Sequence, residues 1–426
     1  MPEMIVLVFL LLLVSGTPIA IVLGSTTLLS VVLITKIPVQ MLPQLMFSAL
    51  DSFTLLAVPM FILTGEIIGS GRTAEMLIGF SKALLGRMAG GLAVTTVLAC
   101  AVFASITGSS LTGIVAIGAI MFPAMVKANY SNKFSLGLIT CSSSLGIMIP
   151  PSIPMIIYAL VMGVSVGQIF MAGFGPGMLM AMVFVGYSLY QAKRYGWVGE
   201  EKPPWSEVMR RAKEGIWALL LPVVVLGGIY GGVFTPTEAA AVSVIYAIVV
   251  ELLIYRGLSF SRLFSVIKGS AVLSGCLLFI FSCGTTFSWL LTSQQIPHRM
   301  AHHILGLLTE PWMFLVGVNL LLLAVGCFLD IASAILIFGP IFYPILVGYK
   351  IDLIHFGIII ILNLEIGFLT LPVGFNLFVA SSVTRHSIVE ISRAALPFVF
   401  AMLICLVLVT YLPSISMLLP NLLFRR

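Results

Sequence analysis

Apolar residues run along this chain in stretches long enough to cross a bilayer, parted by short polar or charged connections. Residues 4 to 35 are apolar apart from an interruption at Gly16-Thr17-Pro18, and a second run, Leu42 to Ile68, carries Asp51 and Glu66. After a charged segment, Arg72 to Arg87, the stretch Met88 to Lys127 has room for two passes but is split at its centre by SITGSS, Ser105 to Ser110. Basic residues stand at both of its ends (Arg87; Lys127 and Lys133), which predicts a re-entrant hairpin open to one side of a membrane. Two full spans joined by a tight turn are the alternative that hydropathy alone does not separate.

The stretch Cys141 to Tyr158, CSSSLGIMIPPSIPMIIY, is apolar yet interrupted at Gly146 and Pro150-Pro151. The two prolines have no N–H, so carbonyls about a turn earlier lose their helical donors, which is tolerated at membrane depth only inside protein or beside a polar cavity. Further helices are expected through Ala159 and over Gln168 to Gln191, followed by a basic loop, Lys193 to Lys213, that holds Lys202 and marks the cytoplasm and the boundary between halves. The second half reads Gly215 to Val233, Glu238 to Tyr255, a basic turn with Arg256, Arg262 and Lys268, then Ser270 to Leu291. Thr292 to Thr309 is a polar connection with His298, His302 and His303, which lack the companions of a metal site and read as a wetted amphipathic segment. Pro311 to Tyr349 is again double length and broken around Gly326 to Ser333, and Phe356 to Val383 is interrupted by NLEIGFLTLPVG, Asn363 to Gly374. A last span runs to Leu412.

Sliding the chain by 221 residues lays Gly118, Pro123, Gly146, Pro151 and Pro176 on Gly339, Pro344, Gly367, Pro372 and Pro397. Glycine and proline mark backbone breaks, so their shared register indicates an internal repeat. Basic flanks around the first hairpin and mixed flanks around the second (Arg299, Glu310, Lys350, Asp352) predict opposite insertion. Inverted repeats with broken helices are the plan of secondary transporters, with substrate and ions near the midplane.

Composition agrees: 60% of the 426 residues are hydrophobic and 8% charged, with a mean hydropathy of +1.19, so the chain is a polytopic membrane protein. The net charge of +6 sits in short connections and is a topology signal; nothing in it suggests nucleic acid. The six cysteines fall in apolar runs and read as small packing residues. The expected fold is all-α, two inverted-topology repeats with re-entrant hairpins and broken helices. Its expected parts are scaffold helices over 1–86 and 215–309, repeat hairpins with transport helices over 87–192 and 310–413, the basic loop at 193–214, and a tail at 414–426.

At SITGSS, LGIMIPPSI (Leu145 to Ile153), GCFLD with Pro340 and Pro344, and NLEIGFLTLPVGFN (Asn363 to Asn376), the chain resembles the large membrane subunit of the tripartite ATP-independent periplasmic (TRAP) transporters. Leu371 departs from the second proline that the first break would suggest. The resemblance implies a sodium-driven elevator importing an organic anion, such as a C4-dicarboxylate or sialic acid, across the cytoplasmic (inner) membrane. A periplasmic binding protein would deliver the substrate, and a separately encoded small four-helix membrane subunit would brace the scaffold. Two or more sodium sites are implied: Ser105, Thr107, Gly146, Ile149 and Pro151 at one, Gly326, Gly367, Thr370 and Val373 at the other, mostly through main-chain oxygens.

Few cations stand at depth, so an anion would be met by half-helix N-termini and hydroxyls, with Ser109, Ser110, Ser144, Asn363 and Asn376 as candidate contacts. The intramembrane carboxyls Asp330 and Glu365 could be sodium-linked, proton-linked or tied to a local N–H or hydroxyl. Glu238, after Thr235-Pro236, reads as a helix cap. A stand-alone carboxylate carrier, coupled to protons or sodium, would share these features without a binding protein. An intramembrane hydrolase lacks a nucleophile with its base, and against the further alternative of a channel two inverted re-entrant hairpins around broken helices favour alternating access over a continuous pore.

Overall fold

A computed structural model describes residues 2–35, 37–199, 203–308 and 310–424, all helices and turns, with no strand among the described residues. Among the described residues eight helices are long and apolar enough to cross a membrane, and nine if one bent pair counts as a span. The chain opens with α1 (Pro2–Val14), α2 (Ile19–Ile34), α3 (Met41–Leu50), α4 (Ala57–Ser70) and α5 (Thr73–Leu85). The run expected over Leu42 to Ile68 is not one rod. It bends by 65° where Asp51 leaves helical geometry.

The first hairpin is α6 (Gly91–Thr107) and α7 (Ser110–Lys127), and the broken helix that follows is α8 (Asn132–Ser142), α9 (Leu145–Met148) and α10 (Ile153–Met162). The tip of the hairpin is Gly108-Ser109. Gly108 takes φ +62°, and a Cβ there would stand 2.7 Å from the Pro151 carbonyl oxygen, so glycine alone allows both the turn and the contact. The tip therefore meets the middle of a broken span. That contact makes the hairpin re-entrant and removes the alternative of two full spans.

From α11 (Val166–Tyr195) the chain passes to α12 (Trp205–Tyr230). The expected basic loop is thus shorter, since Arg210, Arg211 and Lys213 ride on α12, where Arg210 and Arg211 pair with Glu207 at 2.7 and 3.0 Å; Lys202 lies outside the described residues. In α13 (Pro236–Val249) Thr235 and Glu238 form a reciprocal capping box, the role expected of Glu238. A π-helical turn, Val250–Ile254, ends it, and α14 (Phe260–Ser293) then runs about 51 Å at helical rise, well beyond the expected Ser270 to Leu291. Hydropathy missed its first turns because Arg262 and Lys268 are on the helix. The histidine-bearing connection is a helix, α15 (Ile296–Leu307); Thr309 lies outside the described residues.

The second hairpin is α16 (Pro311–Gly326) and α17 (Ile331–Gly348), followed by α18 (Leu353–Phe368), α19 (Phe375–Thr384) and α20 (Ile388–Tyr411). The expected tail begins with a further helix, α21 (Ser414–Phe424). Shifting α7 by 221 residues lands on both ends of α17, and α8 starts where α18 does, so the repeat is structural. Both breaks hold a cis X-Pro bond, Pro150-Pro151 and Leu371-Pro372; the departure at Leu371 leaves the backbone alike.

Contacts fix the relative direction of the repeats. The Tyr158 hydroxyl donates to the Leu353 carbonyl at 2.5 Å, which puts the end of α10 beside the start of α18. At the other side Gly137 of α8 packs against Ala394 of α20, and Phe122 near the end of α7 meets His386 after α19. One broken helix thus descends where the other ascends. On the side of His386 stand Lys127, Lys133, Arg385 and Arg393, and Trp197, stacked on Tyr130 at 4.2 Å, brings Lys193 and Arg194 there too. Lys350 is on the opposite side with Asp352. The basic side is cytoplasmic by the positive-inside rule, the first hairpin opens toward it, and the second opens away.

Candidate functional site

Each hairpin tip docks on a broken helix through glycine. Gly146 lies inside α9, and Gly367 inside α18; the interruptions themselves fall later, at 149–152 and 369–374, because proline and not glycine removes the donors. The glycines instead permit close approach. A Cβ on Gly146 would stand 2.7 Å from the Ser109 oxygen, and one on Gly367 would overlap the main chain of Gly326.

At the first junction the structure brings Thr107, Gly146, Ile149 and Pro151 together with the tip. The Ile149, Pro150 and Pro151 carbonyls are in buried residues and accept no hydrogen bond from the described residues. Ser105 stands a half-turn back, its hydroxyl donating to the Val102 carbonyl at 2.6 Å. Buried carbonyls without donors are costly unless a cation or water meets them, so this donor set of hard oxygens fits a small monovalent cation. At the second junction Gly326 and Gly367 touch, and the Thr370 hydroxyl donates to the Gly367 carbonyl at 2.9 Å with Cys327 Sγ 3.0 Å away. The Thr370, Leu371, Pro372 and Val373 carbonyls also have no donor among the described residues, but here Leu371 and Pro372 are exposed and Thr370 and Val373 half-buried, so these oxygens are open to solvent where those of the first break are enclosed.

Between the two junctions lies a cavity of about 380 Å³, of the size that holds a small metabolite. One wall is Ile62, Gly65 and Glu66 of α4 with Leu273, Cys276, Leu277 and Ile280 of α14; the other is formed by both hairpin tips and by residues that flank the two breaks, Ile147, Ile153, Phe368 and Phe375. The first residues of α7, α10, α17 and α19 all line it, so four half-helix starts converge there. No side chain caps α7, α10 or α19, whereas Asp330 caps α17, accepting from the Ser333 N–H at 2.9 Å and from its hydroxyl. Asp330 thus takes the local tie that was one of its open readings. The starts of α7 and α19 leave their first N–H groups without a side-chain acceptor, whereas at α10 the Ile153 N–H donates to the Gly108 carbonyl at 3.5 Å and Pro154 has none, so α10 offers only its dipole; the cavity lining holds no Lys or Arg among the described residues.

Of the expected substrate contacts, Ser109 and Ser110 line the cavity and the other three lie behind its wall. Asn376 donates to Glu365 at 2.8 Å, with Ser144 facing the same carboxyl. Asn363 donates to Asn319 at 2.8 Å, and Asn319 donates to Thr410 at 3.2 Å, a buried tie between α16, α18 and α20. Sequence reasoning missed Glu66 as a wall residue and also Cys276, which is exposed to the cavity while Cys100, Cys141, Cys283 and Cys405 are buried as expected. A maleimide is therefore expected to react first at Cys276 and to block transport, and Cys276→Ser should be resistant. Unchanged sensitivity of that variant would place the reactive thiol elsewhere.

Inverted repeats, re-entrant hairpins and a cavity where broken helices meet define a multi-pass secondary transporter, not an enzyme. Residues 6–415 match the family model of the tripartite ATP-independent periplasmic transporter, DctM component, and the chain belongs to this family. It is 40% identical to the C4-dicarboxylate TRAP transporter large permease protein DctM of Rhodobacter capsulatus over 97% of each chain. It is 34% identical to the sialic acid TRAP transporter large permease protein SiaM of Vibrio cholerae serotype O1 over 96% of each. With the isethionate TRAP transporter permease protein DctMQ of Oleidesulfovibrio alaskensis it shares 38% identity and spans 65% of that longer chain. Among solved structures the Alcanivorax borkumensis YdaH transporter superposes with a TM-score of 0.66 over 97% of this chain and 99% of that one, at 15% identity, a likeness of fold.

Proposed function

We propose that this large permease is a sodium-coupled importer of a small carboxylate-bearing solute in the bacterial or archaeal inner membrane. A periplasmic binding protein would deliver the solute and a small four-helix membrane subunit would hold the scaffold, while the hairpin domain moves as an elevator. The observation that supports this reading is a cavity met by uncapped helix starts suited to an anion, with donor-free carbonyls suited to cations in the two breaks beside it. The family's tripartite description supports the partners, and relatives named for C4-dicarboxylate, isethionate and sialic acid support an anionic solute.

The test is uptake into proteoliposomes under an inward sodium gradient, with and without the binding protein and the small subunit. Uptake that needs all three supports the reading. Equal uptake without the binding protein would make the chain a stand-alone carrier, and uptake indifferent to sodium would remove the coupling.

Ser109 separates the anion site from helix stability. Its backbone is extended at the start of α7 but its side chain makes no cap bond, so Ser109→Ala should leave thermal stability unchanged while lowering uptake about tenfold, the worth of one lost hydrogen bond to a charged group. For Thr370→Val, which removes a hydroxyl at the second junction, the half-saturating sodium concentration should rise by a similar factor. Unchanged kinetics in both variants would dismiss these roles.

A further inference from the structure

Behind the cavity wall the two repeats are tied by a single buried carboxyl. Glu365 of α18 accepts from Asn376 Nδ2 of α19 at 2.8 Å, and Ser110 Oγ of α7 lies 3.5 Å from its other oxygen and donates to Asn376 Oδ1 at 3.1 Å. Glu365 and Asn376 are 0% exposed and stand outside the cavity lining, while Ser110, 1% exposed, joins them to the cavity wall. Their places in the chain matter more than their burial. Ser110 follows the tip of the first hairpin directly, while Glu365 and Asn376 flank the second break on either side, two residues before Gly367 and three after Val373.

We propose that Glu365 is a positioning residue that makes the two cation junctions respond as one unit. The Glu365–Asn376 bond holds the half-helices of the second break at a fixed separation, and the Ser110 contacts transmit that separation to the first tip. A shift of either tip on filling its junction then changes the geometry of the other, which is the physical content of coupling between two sites. The length of the side chain is specific. Gln keeps one acceptor for Asn376 and supplies a donor toward Ser110, whereas Asp ends one methylene short and Ala removes the link.

For its transport arm this inference rests on the sodium reading proposed above. In proteoliposomes Glu365→Gln should keep sodium cooperativity. Glu365→Ala and Glu365→Asp should lower the Hill coefficient toward one and raise half-saturating sodium about tenfold, with the maximal rate at saturating sodium nearly retained. A merely structural residue would lower the maximal rate and leave cooperativity in place; that outcome overturns the proposal, as does Glu365→Gln failing as badly as Glu365→Ala. If wild-type uptake ignores sodium, the coupling reading falls and the tie is judged on stability alone. Thermal unfolding of Ser110→Ala, Asn376→Ala and the double variant should then be non-additive, and simple additivity would refute the tie itself.

Discussion

Gly367→Ala should bring uptake to about 1% of wild type or less in protein that still folds and inserts, the loss expected when a reacting or binding group is displaced by roughly an ångström. The reason is a backbone-to-backbone contact. A methyl at this position would overlap the carbonyl carbon and Cα of Gly326, and one at Gly326 would meet the Leu364 Cα and carbonyl at 3.0 Å. Neither neighbour is a flexible side-chain end, so the second hairpin must move as a body. Overpacking of this kind costs roughly 1–3 kcal/mol, which a protein of this size absorbs, whereas the position of Thr370 and its neighbouring carbonyls is lost. Gly146→Ala should act alike at the first junction, where the obstacle is the Ser109 carbonyl. Gly186→Ala, in α11 with nothing within 4 Å of the new methyl, is the matched control and should transport normally. Near-normal uptake by Gly367→Ala with intact sodium dependence would mean that the tight docking of tip on broken helix is not what holds the site.

The same glycines and prolines explain how much could be read from the chain alone. They are the few residues whose placement is set by backbone geometry, so the 221-residue register that carried them also carried the ends of α7 onto α17 and the start of α8 onto α18. Direction was legible for a related reason: Lys127, Lys133, Arg385 and Arg393 ended on one side because moving them across a bilayer is costly. What stayed hidden depends on facing, not on breaking. Every residue of α18 from His355 to Phe368 is buried, so its apolar pattern has no polar face to say that Asn363 turns to α16 and α20 while Glu365 turns to α7 and α19. The length of α14 was concealed by Arg262 and Lys268, charged residues that continue a helix as readily as they end one. The four helix starts around the cavity were legible singly, as residues after a break, but their convergence is tertiary.

Glu251→Leu should destabilise the scaffold by about 3 kcal/mol or more, the largest stability effect expected of a residue outside the transport site. Glu251 is 0% exposed, and its carboxyl accepts the Arg72 and Thr73 N–H groups at 2.9 and 3.0 Å and the Thr73 hydroxyl at 2.5 Å. It therefore caps α5 from a segment almost 180 residues away in sequence, which no local pattern announces. The π-helical turn at Val250–Ile254 sits where the side chain must reach the α4–α5 corner, and Gly71 and Gly257 leave the space, since a Cβ on either would collide with the carboxyl. Leucine would fill that space but leave the buried Thr73 N–H and hydroxyl and the part-buried Arg72 N–H without acceptors, the buried groups worth about 1–3 kcal/mol each. Thr73→Val removes one donor and keeps both N–H bonds, so it should cost about 1 kcal/mol. The pair separates cap from packing: denaturant or thermal unfolding in detergent should rank wild type above Thr73→Val above Glu251→Leu. Transport per folded molecule should change little, because the corner lies outside the cavity lining and touches neither junction. A Glu251→Leu protein as stable as wild type would show that this carboxyl is carried at no benefit to the fold, and a folded variant that failed to transport would move the α4–α5 corner into the moving machinery.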